Sequence, residues 1–278
     1  MVPRHELDGL LVALHIQLDH PTSHQLKKVT QRYLYALDMD KSIDQVTNGC
    51  HLCTSLRHTP KDIIKQSSED PPAGVGTAFA ADVMRWNSQA ILVLRECVTS
   101  FTAAVIIHSE RQEDLRDALL TLCCELRPLQ GPPAVIRVDP APGFQALAND
   151  ELLRKYHIQL EIGRIKNINK NPIAEKAVQE LEAEITRQEP RGDVLSMRTL
   201  AVIISRLNTR IRGYGLSARL MWFQRDQHTN EQIPMQDLET IRNQQDARVL
   251  NHPHSEKSTK HPGDKACTNT QVAVGDIV

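Results

Sequence analysis

Residues 77–82 read Thr-Ala-Phe-Ala-Ala-Asp, an apolar run that ends on a carboxylate. A second run, residues 133–139, reads Pro-Ala-Val-Ile-Arg-Val-Asp and ends in the same way. Apolar runs of this length predict buried strands. The acids that end them, Asp82 and Asp139, are therefore expected at strand ends, where a side chain leaves the core and can hold a ligand.

Strand-like and helix-like segments alternate around these two runs. Besides residues 133–138, strands are predicted over residues 77–84, 89–97, 101–108 and 158–162. Helices are predicted over residues 111–126, near 144–156, from Asn171 onward, and over 195–212. Strands that alternate with helices indicate an α/β layer structure.

A third acid, Glu175, lies in the first turn of the helix that Asn171 caps and Pro172 begins, with 35 residues between it and Asp139. Taken singly, each of the three acids is typical of a cap or a salt-bridge partner. If they converge, their mutual repulsion makes the site unstable without cations, and Mg²⁺ is the expected occupant. Two such ions about 4 Å apart can activate a water or a 3′-hydroxyl for phosphoryl displacement.

A second set of candidate metal ligands precedes the core and consists of His15, His20, Cys50 and Cys53. The CxxC spacing suits tetrahedral Zn²⁺, and two upstream histidines complete four ligands, which is typical of a structural ion. The small helical unit around them has few apolar residues for a core and would need such an ion to be stable. Pro21 places His20 in a turn between helices, and His24 is an alternative ligand. The other interpretation is an incidental cysteine pair with surface histidines.

Charge is unevenly distributed along the chain, although its formal net charge is only −1. Residues 151–225 contain 14 Lys and Arg against 8 Asp and Glu, and residues 205–225 contain five arginines and no acid. Such a stripe either faces a phosphate backbone or is a solvated helix face, and both interpretations stay open. The residues predicted to contact DNA are Lys166, Lys170, Lys176, Arg206, Arg210 and Arg212.

The composition bears on location. No run approaches the roughly 20 apolar residues that cross a bilayer, and the N-terminus lacks the order of a signal peptide. Six cysteines in 278 residues are too few for a disulfide scaffold. We therefore expect a protein of the nucleus or cytoplasm without a membrane partner.

Changes in composition divide the chain into segments. The predicted segments are a helical zinc-binding domain (1–56), a polar linker (57–76), an α/β catalytic core (77–225), a flexible tail (226–270) and a strand-like run that begins another domain (271–278).

These spaced ligands resemble those of integrases of the retroviral and LTR-retrotransposon type. In that family a His-His-Cys-Cys zinc domain precedes an RNase H-like core that carries Asp, Asp and Glu, with 35 residues between the last two. Residues 137–144 stand where the family has its Asp-(polar)-Gly-x-x-Phe turn. Asn167 and Asn171 stand in the mobile loop before the catalytic Glu, and residues 275–278 resemble the first strand of its SH3-like barrel.

The resemblance implies an RNase H-like core, a mixed sheet flanked by helices, behind a small all-α zinc-binding domain. It implies Asp82, Asp139 and Glu175 as catalytic ligands of Mg²⁺ or Mn²⁺, and His15, His20, Cys50 and Cys53 as ligands of Zn²⁺. The implied reaction is processing of a 3′ end and its transfer into target DNA. Retroelement ends and target DNA are the implied partners, and a homo-oligomer is the implied assembly.

The sequence departs from the family pattern after Glu175. Relatives commonly have basic residues one and two turns further on, whereas this chain has Gln179 and Glu182, with Glu180 and Glu184 nearby. An alternative is therefore a truncated or domesticated integrase that acts as a non-catalytic DNA-binding or oligomerisation protein. A third interpretation is a nuclease of the same fold, which cuts DNA without joining it.

Overall fold

The computed structural model describes residues 2–55, 74–163, 171–212 and 215–250. The predictions for Lys166, Asn167, Lys170, residues 57–73, residues 251–270 and residues 271–278 lie outside the described residues.

The core is built on a five-stranded mixed sheet in the order β3-β2-β1-β4-β5. Its strands are β1 (Ala78–Trp86), β2 (Gln89–Glu96), β3 (Thr102–Ile107), β4 (Ala134–Val138) and β5 (Ile158–Ile162). The first three form an antiparallel meander. Strands β4 and β5 run parallel to β1, and helices make the crossovers that parallel neighbours require.

Helices cover both faces of the sheet. Those of the core are α5 (Gln112–Leu126), α6 (Pro142–Ala146), α7 (Glu151–Lys155), α8 (Pro172–Gln188), α9 (Met197–Thr209) and α10 (Ala218–Phe223). The helix predicted near 144–156 is two helices, because Asp150 accepts hydrogen bonds from the amides of Leu152 and Leu153 and so begins a new one. The remaining predicted helices are confirmed.

Successive residues of a strand point to opposite faces, which gives the sheet two apolar layers. Phe79 and Ala81 pack with Leu115 and Leu119 of α5 on one face. On the other face, Met84, Ile91 and Val93 pack with residues of α8 and α9. The predicted fold class, an α/β core with a mixed sheet flanked by helices, is confirmed.

A small all-α unit precedes this core, as predicted. It contains α1 (Arg4–Gln17), α2 (Ser23–Tyr33), α3 (Met39–Gly49) and α4 (His51–Ser55). Leu7, Leu11, Leu26 and Ile43 are buried in its centre. Ile211, which follows α9, joins the same cluster, and its carbonyl accepts a hydrogen bond from Gln25. The unit therefore packs against the chain segment that leaves α9.

The structure differs from the predicted flexible tail over residues 226–250. Helix α11 (Met235–Leu250) lies inside this segment, with Ile241 buried against Met221 and Leu216. A salt bridge of 2.9 Å joins Asp237 to Arg32 of α2. A few apolar positions within a Gln- and Asn-rich sequence are enough to order the helix against the core. None of the helices in the described part of the chain has the length and apolar character needed to cross a bilayer.

Candidate active site and metal centre

Asp82 and Asp139 occupy neighbouring positions on two parallel strands. The β1–β4 ladder pairs Ala81 with Val138, so the residue that follows each of them is one of the two acids. The prediction that both acids lie at strand ends is right for Asp139, which directly follows β4, and wrong for Asp82. Asp82 lies inside β1, because pairing with β2 continues to Trp86. Strand β4 stops earlier, and among the described residues β1 has no strand partner on that side from Asp82 onward.

Glu175 reaches the same place from the first turn of α8. The helix has Asn171 as its N-cap and Pro172 as its first residue, as predicted. The Asn171 amide donates hydrogen bonds to the carbonyls of Ala81 (3.1 Å) and Arg137 (2.9 Å). Ala80 of β1 packs against Ala174. The start of α8 therefore lies across the two strands that carry the aspartates. The expectation that Asn171 belongs to a mobile loop is wrong, because its side chain is buried and bonded to both strands.

The pKa of Asp82 reflects the nearby acids. Burial, together with the negative charges of Asp139, Glu175 and Glu110, raises the pKa of Asp82 to about 6. A hydrogen bond from the Val83 amide opposes this rise. Three carboxylates thus act on a fourth, half-buried one, and this arrangement favours a bound cation. Among the described residues, the oxygens of these carboxylates lie farther from one another than the ligand atoms of the His/Cys group described below.

Glu110 is the member of this acidic site that the sequence did not indicate. It lies in the connection from β3 to α5, and its side chain is paired with Arg85 at 2.5 Å. Gly143, in α6, allows this connection to approach the site, because a Cβ there would lie 2.3 Å from the Glu110 carbonyl oxygen. A single acid in a polar turn has no motif that would reveal it.

The four predicted zinc ligands form one compact group in the helical unit. His15 Nε2 lies 3.2 Å from His20 Nδ1 and 3.4 Å from Cys53 Sγ, while Cys50 Sγ lies 3.3 Å from His20 Nδ1. Zn–N bonds of about 2.0 Å and Zn–S bonds of about 2.3 Å at tetrahedral angles separate ligand atoms by about 3.3 to 3.8 Å. The four residues therefore have the donor atoms and nearly the spacing of a tetrahedral zinc site. The alternative ligand, His24, is not part of the group.

Local backbone geometry brings these ligands together. His15 lies in the last turn of α1, and His20 lies in the turn before α2, as the proline after it predicted. Asp19 and His20 both have positive φ, near 58° and 57°, a conformation that costs energy in residues other than glycine. This turn points His20 back at His15. Burial, followed by the charge of His20, lowers the pKa of His15, which favours the neutral imidazole that binds metals.

The residues predicted to contact DNA fall into two groups. Lys176 and Arg206 are exposed and remain available to a phosphate backbone. Arg210 and Arg212 instead form salt bridges with acids of α8, Arg210 with Glu184 and Arg212 with Glu180 at 3.3 Å. Glu180 and Glu184, two of the three acids that depart from the family pattern, are therefore neutralised inside the molecule, whereas Glu182 is exposed.

These ion pairs are largely buried. Glu180 also receives Arg95 at 2.5 Å, and the positive charges of Arg95 and Arg212 hold the pKa of Glu180 below its usual range although burial opposes this. Glu184 is fully buried and also pairs with Arg187 at 2.8 Å. The arginine stripe thus contributes to the packing of α8.

The same cluster joins the core to the helical unit. Asp19, next to His20, lies 3.4 Å from Arg187 and 3.6 Å from Arg210. The turn that carries His20 therefore contacts the carboxyl-terminal half of α8, whereas Glu175 lies at its other end.

Comparison with known proteins found a structural likeness. The chain is similar to the crystal structure of the catalytic core domain of BIV integrase, with a TM-score of 0.45 and 19% sequence identity. The match covers 54% of this chain and 95% of that chain. No protein-family model and no curated protein sequence matches the chain.

Proposed function

We propose that this chain is a retroelement integrase-type polynucleotidyl transferase that acts on DNA with two divalent cations. The observation that carries the proposal is the convergence of three carboxylates. Asp82 and Asp139 are neighbours on parallel strands, and Asn171 joins the start of the Glu175 helix to both strands.

In the proposed reaction, a DNA 3′-hydroxyl attacks a phosphodiester in the target. A bond forms between the 3′-oxygen and phosphorus, the bond from phosphorus to its original 3′-oxygen breaks, and no energy source is needed because one phosphodiester replaces another. Asp82 and Asp139 would hold one Mg²⁺ or Mn²⁺ between them, and Glu175 would complete the ligands of the second. Bound cations supply a stronger nucleophile and neutralise charge on the leaving oxygen. Asp82 acts as a ligand only when ionised, so a cation that binds there must displace the proton that burial and the neighbouring acids favour in the cation-free site.

The proposal assigns Zn²⁺ to His15, His20, Cys50 and Cys53 as a structural ion. All four positions are filled by protein side chains, so no place is open for a substrate. Its role is to hold the turn at His20, α3 and α4 together.

The DNA partner follows from the proposed reaction. Within the part of the chain that the structure describes, Lys176 and Arg206 are the predicted DNA contacts that are exposed. Contacts of such residues with the phosphate backbone carry no sequence information. We therefore propose low target specificity and, by resemblance, a homo-oligomeric assembly.

The proposal is tested with labelled duplex ends and Mn²⁺ or Mg²⁺. We expect shortened and joined products from the wild type and none from Asp82→Asn or Glu175→Gln. Asp117→Asn, an exposed acid on α5, is the matched control and should keep full activity. Equal DNA binding by all variants without any product would contradict the proposal and favour the non-catalytic DNA-binding protein. Cut but never joined products would favour a nuclease.

A further inference from the structure

The inference concerns Asn171, which makes more contacts than a helix cap requires. A helix N-cap needs one oxygen that accepts a backbone amide, and Ser, Thr, Asp and Asn all provide it. Asn171 does this with Oδ1, which accepts from the Ala174 amide at 3.4 Å. Its Nδ2 makes two further bonds that a hydroxyl or carboxylate cap cannot supply, to the carbonyls of Ala81 and Arg137.

These bonds end on the backbone beside each proposed metal ligand. Ala81 directly precedes Asp82, and Arg137 lies two residues before Asp139. The Asn171 carbonyl accepts the amide of Glu175 at 2.9 Å. With 2% of its surface exposed, Asn171 is buried where the β1–β4 ladder ends at the pair Ala81 and Val138.

We propose that Asn171 is a positioning residue, which fixes the spacing of the three carboxylates by joining β1, β4 and α8 through one side-chain amide. The proposal rests on the proposed function, because it assigns these carboxylates to cations. Like charges held together repel, so the start of α8 must be restrained against moving away from the strands before a cation binds. Residues that orient ligands in this way commonly change metal affinity when they are replaced.

Two substitutions separate the bridge from the cap. Asn171→Ser keeps a neutral cap and loses both Nδ2 donors, because the shorter side chain has one hydroxyl and this group forms the cap. Asn171→Asp also keeps the cap and loses the donors, but it adds a negative charge beside the site. If charge alone governed cation binding, Asn171→Asp would bind Mn²⁺ more tightly than the wild type. The bridge predicts that both variants bind it more weakly.

The first measurement is Mn²⁺ affinity in the zinc-loaded full chain, by calorimetric titration. We expect both variants to lose about tenfold to 100-fold in affinity. In strand transfer at a fixed Mn²⁺ concentration, kcat should fall while KM for DNA stays the same. The control is Ser196→Ala, which removes the N-cap of α9 on the same face of the sheet. This control should lower the free energy of unfolding and leave Mn²⁺ affinity unchanged. Loss of a helix cap alone would then not account for weaker Mn²⁺ binding by the Asn171 variants.

The second measurement is amide hydrogen exchange in the first turn of α8, without any divalent cation at the acidic site. In Asn171→Ser, exchange of the Ala174 and Glu175 amides should be about tenfold faster. Local opening of the first turn costs less free energy in this variant, because the two hydrogen bonds to the strands are already absent. Ser196→Ala should leave this exchange unchanged.

The outcomes separate the bridge from the proposed function. If both variants bind Mn²⁺ as tightly as the wild type, or if Asn171→Asp binds it more tightly, the positioning role of Asn171 is wrong. If Mn²⁺ binds the wild type and Asp82→Asn equally, the proposed function fails. Hydrogen exchange alone then tests whether Asn171 holds the start of α8 against β1 and β4. Unchanged exchange in Asn171→Ser would show that it does not.

Discussion

Replacement of Asp82 by asparagine should stabilise the protein when no divalent cation occupies the acidic site. Burial and three neighbouring carboxylates raise the pKa of Asp82 from 3.8 to about 6, so its ionised form is unfavourable in the folded state. The Asp82→Asn variant removes the charge and retains the oxygen that accepts the Val83 amide at 2.8 Å. The substitution thus changes ionisation with little change in shape.

The size of the effect follows from the shift in pKa. The change from 3.8 to about 6 corresponds to about 3 kcal/mol of differential ionisation free energy. Asp82 is only half-buried, and solvent screening reduces this to about 1–2 kcal/mol. Below pH 3.8 the group is protonated in the folded and unfolded chains, so the two proteins should be equally stable. Between pH 3.8 and about 6 the unfolded wild type has released this proton while the folded one still holds it, so the wild type loses stability over this range and the variant should be the more stable protein above it.

Urea unfolding at pH 4 and pH 8, with zinc bound and other divalent cations removed, measures this difference. Addition of Mn²⁺ at 100 times its dissociation constant should stabilise the wild type alone by about 2.7 kcal/mol and reverse the order. Asp226→Asn provides the opposite control, because the backbone amides of Thr229 and His228 help to hold the pKa of Asp226 low despite burial. That variant should lose stability at pH 8. A wild type that equals or exceeds Asp82→Asn at pH 8 without Mn²⁺ would refute the reasoning.

Two further predictions concern the helical unit and its junction with the core. Chelation of zinc, or Cys50→Ser, should abolish the helicity of the α1–α4 unit while the sheet stays folded. Circular dichroism measures the loss of helix, and amide exchange in β1 and β2 measures the state of the sheet. Equal helicity with and without zinc would contradict a structural ion. Glu184→Gln should lower the free energy of unfolding by about 1–3 kcal/mol, because Arg187 and Arg210 lose their buried charged partner and keep only Asp19. Asp117→Asn, at an exposed site, should change this quantity by less than about 0.5 kcal/mol, and a similar loss in both variants would contradict the role of the buried pair.

The parts of the fold predicted from sequence are those that local patterns specify. The apolar runs before Asp82 and Asp139 indicated strands, and Asn171 and Pro172 marked the start of α8 because cap chemistry is local. The spacing of the histidines and the CxxC pair indicated the zinc ligands for the same reason. The roles of the three acids and of the four zinc ligands remain proposals.

The parts that were not predicted depend on contacts between distant residues. Glu180 meets Arg95 and Arg212 only after α8 and α9 have packed on the sheet, so a count of charges along the chain treated them as separate surface groups. Asn171 was identified as a cap because that bond is local. Its bonds to two strands, one of them 90 residues away, have no signature in the sequence.

The contacts at the junction indicate how far loss of zinc should spread. Asp19 links the turn that carries His20 to α8, and its side chain is 24% exposed. Partly exposed ion pairs of this kind contribute about 0–1 kcal/mol, so release of the turn costs the core little. Arg187 and Arg210 still have Glu184, which is fully buried within the core. The anchoring of α8, and with it the placement of Glu175, therefore depends on the core's own ion pairs and on Asn171 more than on the zinc-binding unit.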